Sequence, residues 1–115
     1  MPKYLIQANY VGEGVKGFLK DGGSKRRAVV EELFRSMGAT IEAFYYAFGD
    51  TDVFIIGDFP DHATVAATCL AVTSTGTVTW KTTVLLTPEE LDEATKKKAT
   101  YSRPGQELVP GVFAP

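Results

Sequence analysis

Cysteine and histidine are scarce in this sequence, which has Cys69 and His62 as its single residues of each type among 115. One cysteine excludes an internal disulfide and suits a reducing compartment, so we expect a cytoplasmic protein. One cysteine and one histidine cannot complete a zinc site, and the aspartates lack the spacing of a calcium loop. The sequence therefore predicts neither a bound metal nor a cofactor.

Long apolar runs and a surplus of positive charge are also missing. No segment approaches the length of a membrane-spanning helix, and residues 1–10 lack the features of a signal peptide. The formal net charge of −2 provides no broad positive field for contacting many phosphates. We therefore expect neither a membrane nor a nucleic acid as partner.

The two scarce residues each allow a structural and a chemical interpretation. His62 follows Asp61 at a predicted helix start, which favours an exposed first-turn residue over a base or a metal ligand. Cys69 falls within an apolar helix pattern, which favours a small packed side chain over a nucleophile. Neither residue alone indicates an enzyme.

Strand and helix patterns alternate along the rest of the chain. Strands are predicted by alternating or β-branched apolar residues at 3–10, 40–48, 52–59 and 77–86. Two amphipathic or small-residue patterns predict helices that begin after Ser24 and Asp61, and Gly38 ends the first of them. The order β-α-β-β-α-β predicts an α+β, ferredoxin-like domain with a four-stranded antiparallel sheet.

Two further segments follow the fourth strand. Thr87 and Pro88 predict the N-cap and first residue of a short helical turn. We expect the ferredoxin-like domain to cover residues 1–98 and an extended tail, rich in proline and glycine, to cover 99–115. The tail also contains apolar residues that suit packing on a neighbouring subunit, namely Tyr101, Leu108, Val109, Val112 and Phe113.

The second strand is apolar on both sides if it alternates regularly. Ala43 and Tyr45 then lie on one side, and Phe44, Tyr46 and Phe48 lie on the other. Both helices are expected to cover one sheet face, so the second face would expose a large apolar patch. A homodimer or higher homo-oligomer is the simplest way to cover it.

A ligand pocket on this second face is one of two interpretations of its residues. Regular alternation groups polar and apolar side chains there, and the candidates are Gln7, Asn9, Phe44, Tyr46, Phe54, Ile56 and Lys81. Apolar walls with a few polar groups suit a small organic molecule, and the same residues also suit a plain dimer interface. A bulge in the fourth strand would exchange Lys81 for Trp80 on this face.

A second, weaker candidate site is a glycine-rich turn before the first long helix. Gly22, Gly23, Ser24 and Arg26 resemble an anion cradle at a helix N-terminus. The pattern of a phosphate-binding loop is absent, and no predicted strand directly precedes the turn.

Four segments resemble the GYD-domain family in order and separation: residues 4–8, 20–24, 42–50 and 85–90. The resemblance covers residues 3–95, although Thr51 stands before Asp52 where the family has a tyrosine. It implies a dimeric α+β barrel, in which two ferredoxin-like sheets pack face to face, and a small homo-oligomer of unassigned function. We expect a ligand-binding or interaction module; the alternative, by fold analogy, is a cofactor-independent monooxygenase or isomerase.

Overall fold

A computed structural model describes residues 1–106 of the chain and contains the predicted strands and helices. The elements follow the order β1 (Lys3–Tyr10), α1 (Glu13–Asp21), α2 (Gly23–Ser36), β2 (Thr40–Tyr46), β3 (Val53–Asp58), α3 (His62–Thr73), β4 (Val78–Leu85) and α4 (Pro88–Thr95). The chain divides into two units, Met1–Leu85 and Leu86–Pro115. The first unit holds the whole sheet.

The sheet has the strand order β2-β3-β1-β4, and all three neighbouring pairs are antiparallel. This α+β arrangement is compatible with the predicted ferredoxin-like fold. The two central strands, β1 and β3, are the most buried because each has a paired strand on both sides.

The buried core lies on one face of this sheet. Tyr4, Ile6, Val53 and Ile55 point from the central strands toward α2 and α3, and the Phe34 side chain of α2 packs among them. Each of these five side chains is at most 4% exposed. Buried and partly buried residues alternate along β1 and β3, so one face of the sheet lies under the helices, and we call the opposite face the open face.

Glycine conformation divides the first helical region in two. A full helix of nine residues, α1, ends at Asp21 just before the predicted glycine-rich turn. Gly22 has a φ of 82°, which L side chains rarely adopt, and its N–H is bonded to the carbonyl of Phe18. The predicted N-cap at Ser24 was wrong, because α2 already begins at Gly23 and Gly22 is its N-cap.

A bulge in β2 changes which of its residues face the helices. The register of β2 against β3 shifts between Ile41 and Ala43, so Glu42 is an extra residue in β2. Downstream of the bulge, Phe44 pairs with Ile55 and is 9% exposed. Phe44 and Tyr46 therefore lie on the helix-covered face, and Ala43 and Tyr45 lie on the open face. Regular alternation predicted the reverse for all four, and that prediction was wrong.

The second unit begins with a capped helix. The Thr87 hydroxyl accepts a bond from the Glu90 N–H, and the Glu90 side chain accepts one from the Thr87 N–H. This capping box starts α4 at Pro88, as the sequence predicts. The predicted tail anchors Leu108, Val109, Val112 and Phe113 lie outside the described residues, so their packing on a neighbouring subunit stays a prediction.

Candidate functional site

The open face of the sheet carries an apolar cluster across three neighbouring strands. Leu5 of β1 lies opposite Ile56 of β3, and Ala43 and Tyr45 of β2 lie opposite Ile56 and Phe54. Tyr45 is 71% exposed, and the other four side chains are only partly buried. We call Leu5, Ala43, Tyr45, Phe54 and Ile56 the open-face cluster.

A polar column borders this cluster along β4. Thr79, Lys81 and Thr83 lie opposite Asn9, Gln7 and Leu5 of β1, and all three are exposed. The pairing of β1 with β4 is continuous from Lys3 to Tyr10, so the bulge considered for the fourth strand does not occur. Lys81 therefore lies on the open face and Trp80 on the helix-covered face. Within residues 1–106, the Lys81 ammonium has no ion pair.

The two amides predicted for the pocket are on the open face but are bonded to the hairpin between β2 and β3. The Asn9 amide nitrogen donates to the carbonyl of Asp50 at 2.9 Å, and its oxygen accepts from the Asp52 N–H at 2.7 Å. The Gln7 amide donates to the Thr51 hydroxyl at 3.2 Å. Both side chains hold this hairpin against β1, which leaves less of their hydrogen-bonding capacity for a ligand.

Tyr46 and Phe44, the aromatic candidates on β2, lie across the sheet from the proposed pocket. The Tyr46 hydroxyl donates to the carbonyl of Gly23 at 2.7 Å, and its ring meets Phe18 edge to face. Burial raises the pKa of Tyr46, and the neighbouring Tyr10 adds to the rise. Both aromatic residues therefore fix the helices on the sheet, and neither faces the same space as Lys81.

A charged group closes one end of the open face. The Lys3 ammonium donates to both carboxylate oxygens of Asp58, at 3.0 and 3.2 Å, and lies 3.4 Å from Glu42. The bond to Asp58 is the main cause that raises the pKa of Lys3. The bulge residue Glu42 thus joins the outer strand to this group, and the open-face cluster lies between it and the hairpin amides.

The predicted anion cradle contains an anion of the chain itself. Lys25 and Arg26, in the first turn of α2, lie 3.4 and 3.5 Å from the two carboxylate oxygens of Asp21. The carbonyl of Gly23 accepts the Tyr46 hydroxyl. Anion binding by Gly22, Gly23, Ser24 and Arg26 stays a prediction, and it would have to compete with Asp21.

His62 is exposed at the start of α3, as its position after the cap residue Asp61 predicts. Its Nδ1 lies 2.5 Å from the hydroxyl of Tyr4, a core residue. Burial raises the pKa of that hydroxyl, and the charge of Asp61 adds to the rise. The contact joins β1 to the helix start, on the face away from the open-face cluster.

The comparisons with known proteins come down to one match. The family model of the GYD domain matches residues 4–95, which is most of the chain. The chain belongs to the GYD-domain family. A comparison with curated proteins and one with solved structures each gave no match.

Two kinds of feature are absent from the described part of this GYD protein. No helix in residues 1–106 is long and apolar enough to cross a membrane. No group of three His, Cys, Asp or Glu side chains in that range is arranged to hold a metal ion. The cytoplasmic location stays a prediction.

A cavity on the helix-covered face was missed by the sequence reasoning. It lies between α2 and α3 and includes Arg26, Val29 and Ala71 among its lining residues. The residue pattern shows that both helices bury apolar residues, but it cannot show how far apart the helices lie. The small residues of α3 are the one sequence signal that bears on that spacing.

Proposed function

We propose that this GYD-domain protein is a homo-oligomeric interaction module, in which the open faces of two copies pack together. The observation that carries the proposal is the open-face cluster, which spans three strands and which no helix of residues 1–85 covers. Exposed apolar surface of this extent favours an interface. A second copy is the partner that supplies a matching patch, because a two-fold axis brings identical surfaces together.

The dimeric α+β barrel is the assembly that this packing would produce. Family membership supports it, since the family resemblance implies two sheets packed face to face. The layout of the face supports it too, because the apolar cluster lies between the Lys3–Asp58 pair and the hairpin amides of Gln7 and Asn9. Polar groups at the border and apolar groups at the centre are usual for stable interfaces.

A small organic ligand between the two faces is the finer part of this proposal. Phe54 and Ile56 would contact its apolar part, as the sequence predicts, and Tyr45 takes the place predicted for Phe44. Lys81 would supply the charge, with Thr79 and Thr83 beside it on β4. The enzyme alternative would use the same lysine as its acid–base group, so a metabolite screen followed by a turnover assay separates the two.

A charge placed in the cluster tests the proposed interface. Tyr45→Lys is suitable because the Tyr45 side chain is 71% exposed in a single chain, so an isolated chain should still fold with a lysine there. We expect light scattering to show monomers for this variant and oligomers for the unchanged protein, because burying an unpaired ammonium between apolar faces is unfavourable.

Phe48→Lys is the matched control, because Phe48 is a fully exposed aromatic three residues along, in the hairpin and outside the strands. It should leave the oligomer intact. If both variants keep the mass of the unchanged protein, or both lose it equally, the open-face cluster is not the interface.

A further inference from the structure

The cavity on the helix-covered face has the lining of a site for a small molecule, and its size is close to that of such sites. Its volume is about 270 Å³, just below the range of roughly 300–1,000 Å³ that is usual for ligand pockets. Ile6 and Ile55 of the sheet form part of its floor, Val29 and Leu33 of α2 one wall, and Ala71 of α3 the other wall. Trp80 of β4 also lines the cavity, so an apolar ligand would meet aliphatic and aromatic surface.

The polar groups of the cavity lie together at one end. Arg26 and Tyr10 line the apolar cavity, and both also line a smaller pocket of about 150 Å³ beside it. Asp21 and Glu13 belong to that smaller pocket alone. Arg26 therefore lies where the apolar cavity meets a polar one, and its guanidinium is 3.5 Å from Asp21 of the polar pocket.

The charges at this end favour one negative charge on a ligand. Lys25 and Arg26 share the single carboxylate of Asp21, at 3.4 and 3.5 Å, and Glu13 is paired with Lys16 at 3.2 Å. Two cations facing one anion leave a positive surplus, and the N-terminus of α2 adds to it. Within residues 1–106, the Arg26 side chain makes no closer polar contact than the one to Asp21.

We propose that this cavity binds a small carboxylate with an apolar body, such as an aryl- or alkyl-carboxylate. The guanidinium of Arg26 would hold the carboxylate through its planar pair of N–H groups, and the aliphatic walls would hold the body. A doubly charged phosphate fits less well, because Asp21 is close and only one cation lines the cavity. The site lies across the sheet from the open-face cluster, so it does not depend on the proposed oligomer interface.

A matched pair of probes, 4-phenylbutanoate and 4-phenylbutan-1-ol, separates the apolar contribution from the charged one. Calorimetric titration of the full chain should show binding of the acid, and weaker binding of the alcohol. Arg26→Gln should weaken the acid about tenfold and leave the alcohol unchanged, because only the acid loses a charge-assisted hydrogen bond. Ala71→Phe, which fills the cavity from an exposed position on α3, should abolish binding of both.

Two control variants lie outside the cavity lining on the same helices. Arg35→Gln removes a cation from the last turn of α2, and Ala66→Phe adds the same bulk at another exposed position of α3. Both should bind the acid as the unchanged chain does, with unaltered circular dichroism. The proposal is overturned if the acid does not bind, if Ala71→Phe still binds it, or if Arg26→Gln weakens acid and alcohol alike.

Discussion

Phe44 of β2 lies directly across from Ile55 of β3, and both side chains are buried under the helices. The Arg27 guanidinium of α2 lies 5.8 Å from the centre of the Phe44 ring. A residue that regular alternation assigns to the open face is therefore part of the core, because the bulge at Glu42 moves the rest of β2 by one position.

Phe44 should contribute to folding far more than its neighbour in sequence Phe48. Phe44→Ala removes a ring that is 9% exposed and should lower the free energy of unfolding by about 3 kcal/mol. Phe48→Ala removes a fully exposed ring and should change it by less than about 0.5 kcal/mol. Urea unfolding of both variants checks this, and equal losses would show that the bulge does not bury Phe44.

The four strands and the starts of α3 and α4 could be predicted from periodicity and cap residues, whereas the full helix α1 and the bulge could not. Asp61, Thr87 and Pro88 begin their helices where the sequence indicates, because local chemistry fixes a helix start. In the stretch from Ile41 to Phe48 nearly every residue is apolar, so either register buries large side chains. The pairing of β2 with β3, which joins residues distant in sequence, decides between the two registers. Phe44 and Tyr46 therefore lie on the helix-covered face and not in the predicted pocket.

Gly14 should tolerate no side chain, although Gly17 of the same helix should. A Cβ at Gly14 would lie 2.1 Å from the carbonyl oxygen of Thr77, a backbone atom. Gly14→Ala should therefore lower the free energy of unfolding by about 1 to 3 kcal/mol. A Cβ at Gly17 would meet nothing within 4 Å, so Gly17→Ala should raise it by about 0.5 to 1 kcal/mol.

Thermal unfolding of the two glycine variants gives the comparison, with the unchanged chain as reference. Close packing of α1 against Thr77 at Gly14, with open space at Gly17, requires shifts of opposite sign. Two shifts of the same sign would contradict the close approach of α1 to the segment before β4.

Asn9 should stabilise the hairpin between β2 and β3. Asn9→Ala removes the bonds to Asp50 and Asp52, but the Asp52 N–H keeps a bond to the Ala8 carbonyl at 3.1 Å. We therefore expect a loss of only about 1 kcal/mol. Amide exchange at Asp52 should become faster while exchange at Ile6 in β1 stays unchanged. Unaltered exchange at Asp52 would show that the amide does not hold the hairpin.

Asp61 should make the free energy of unfolding depend on pH in the acidic range. Bonds from the Thr64 hydroxyl and N–H lower the pKa of this N-cap carboxyl below its ordinary value. A lowered folded-state pKa means that the contribution is complete above the unfolded pKa and is lost as the pH falls through the folded one. Asp61→Asn removes this titration but keeps a capping oxygen.

The difference in melting temperature between the unchanged chain and Asp61→Asn measures this effect between about pH 6 and about pH 3. We expect the advantage of the aspartate to shrink as the solution becomes more acidic. Asp50→Asn is the control, because only the backbone carbonyl of Asp50 takes part in the hairpin contact. A difference that stays constant for Asp61→Asn would contradict the carboxylate cap.

The candidate site was only partly predictable, because, like the bulge, it depends on contacts between residues that are distant in sequence. Gln7, Asn9, Phe54, Ile56 and Lys81 lie on the open face because β1, β3 and β4 alternate regularly. That Gln7 and Asn9 are bonded to the hairpin depends on where the hairpin folds back, which no spacing in the sequence reveals. The cavity between α2 and α3 likewise depends on helix separation.

Sedimentation equilibrium of the full chain at micromolar concentration tests the proposed self-association most directly. We expect a mass of at least twice the 12.5 kDa of one chain, which Tyr45→Lys reduces to that of one chain. The open-face cluster spans three strands and should favour association, because each apolar side chain that is buried makes the free energy of association more favourable. A mass of 12.5 kDa for the unchanged protein at every concentration would contradict the account.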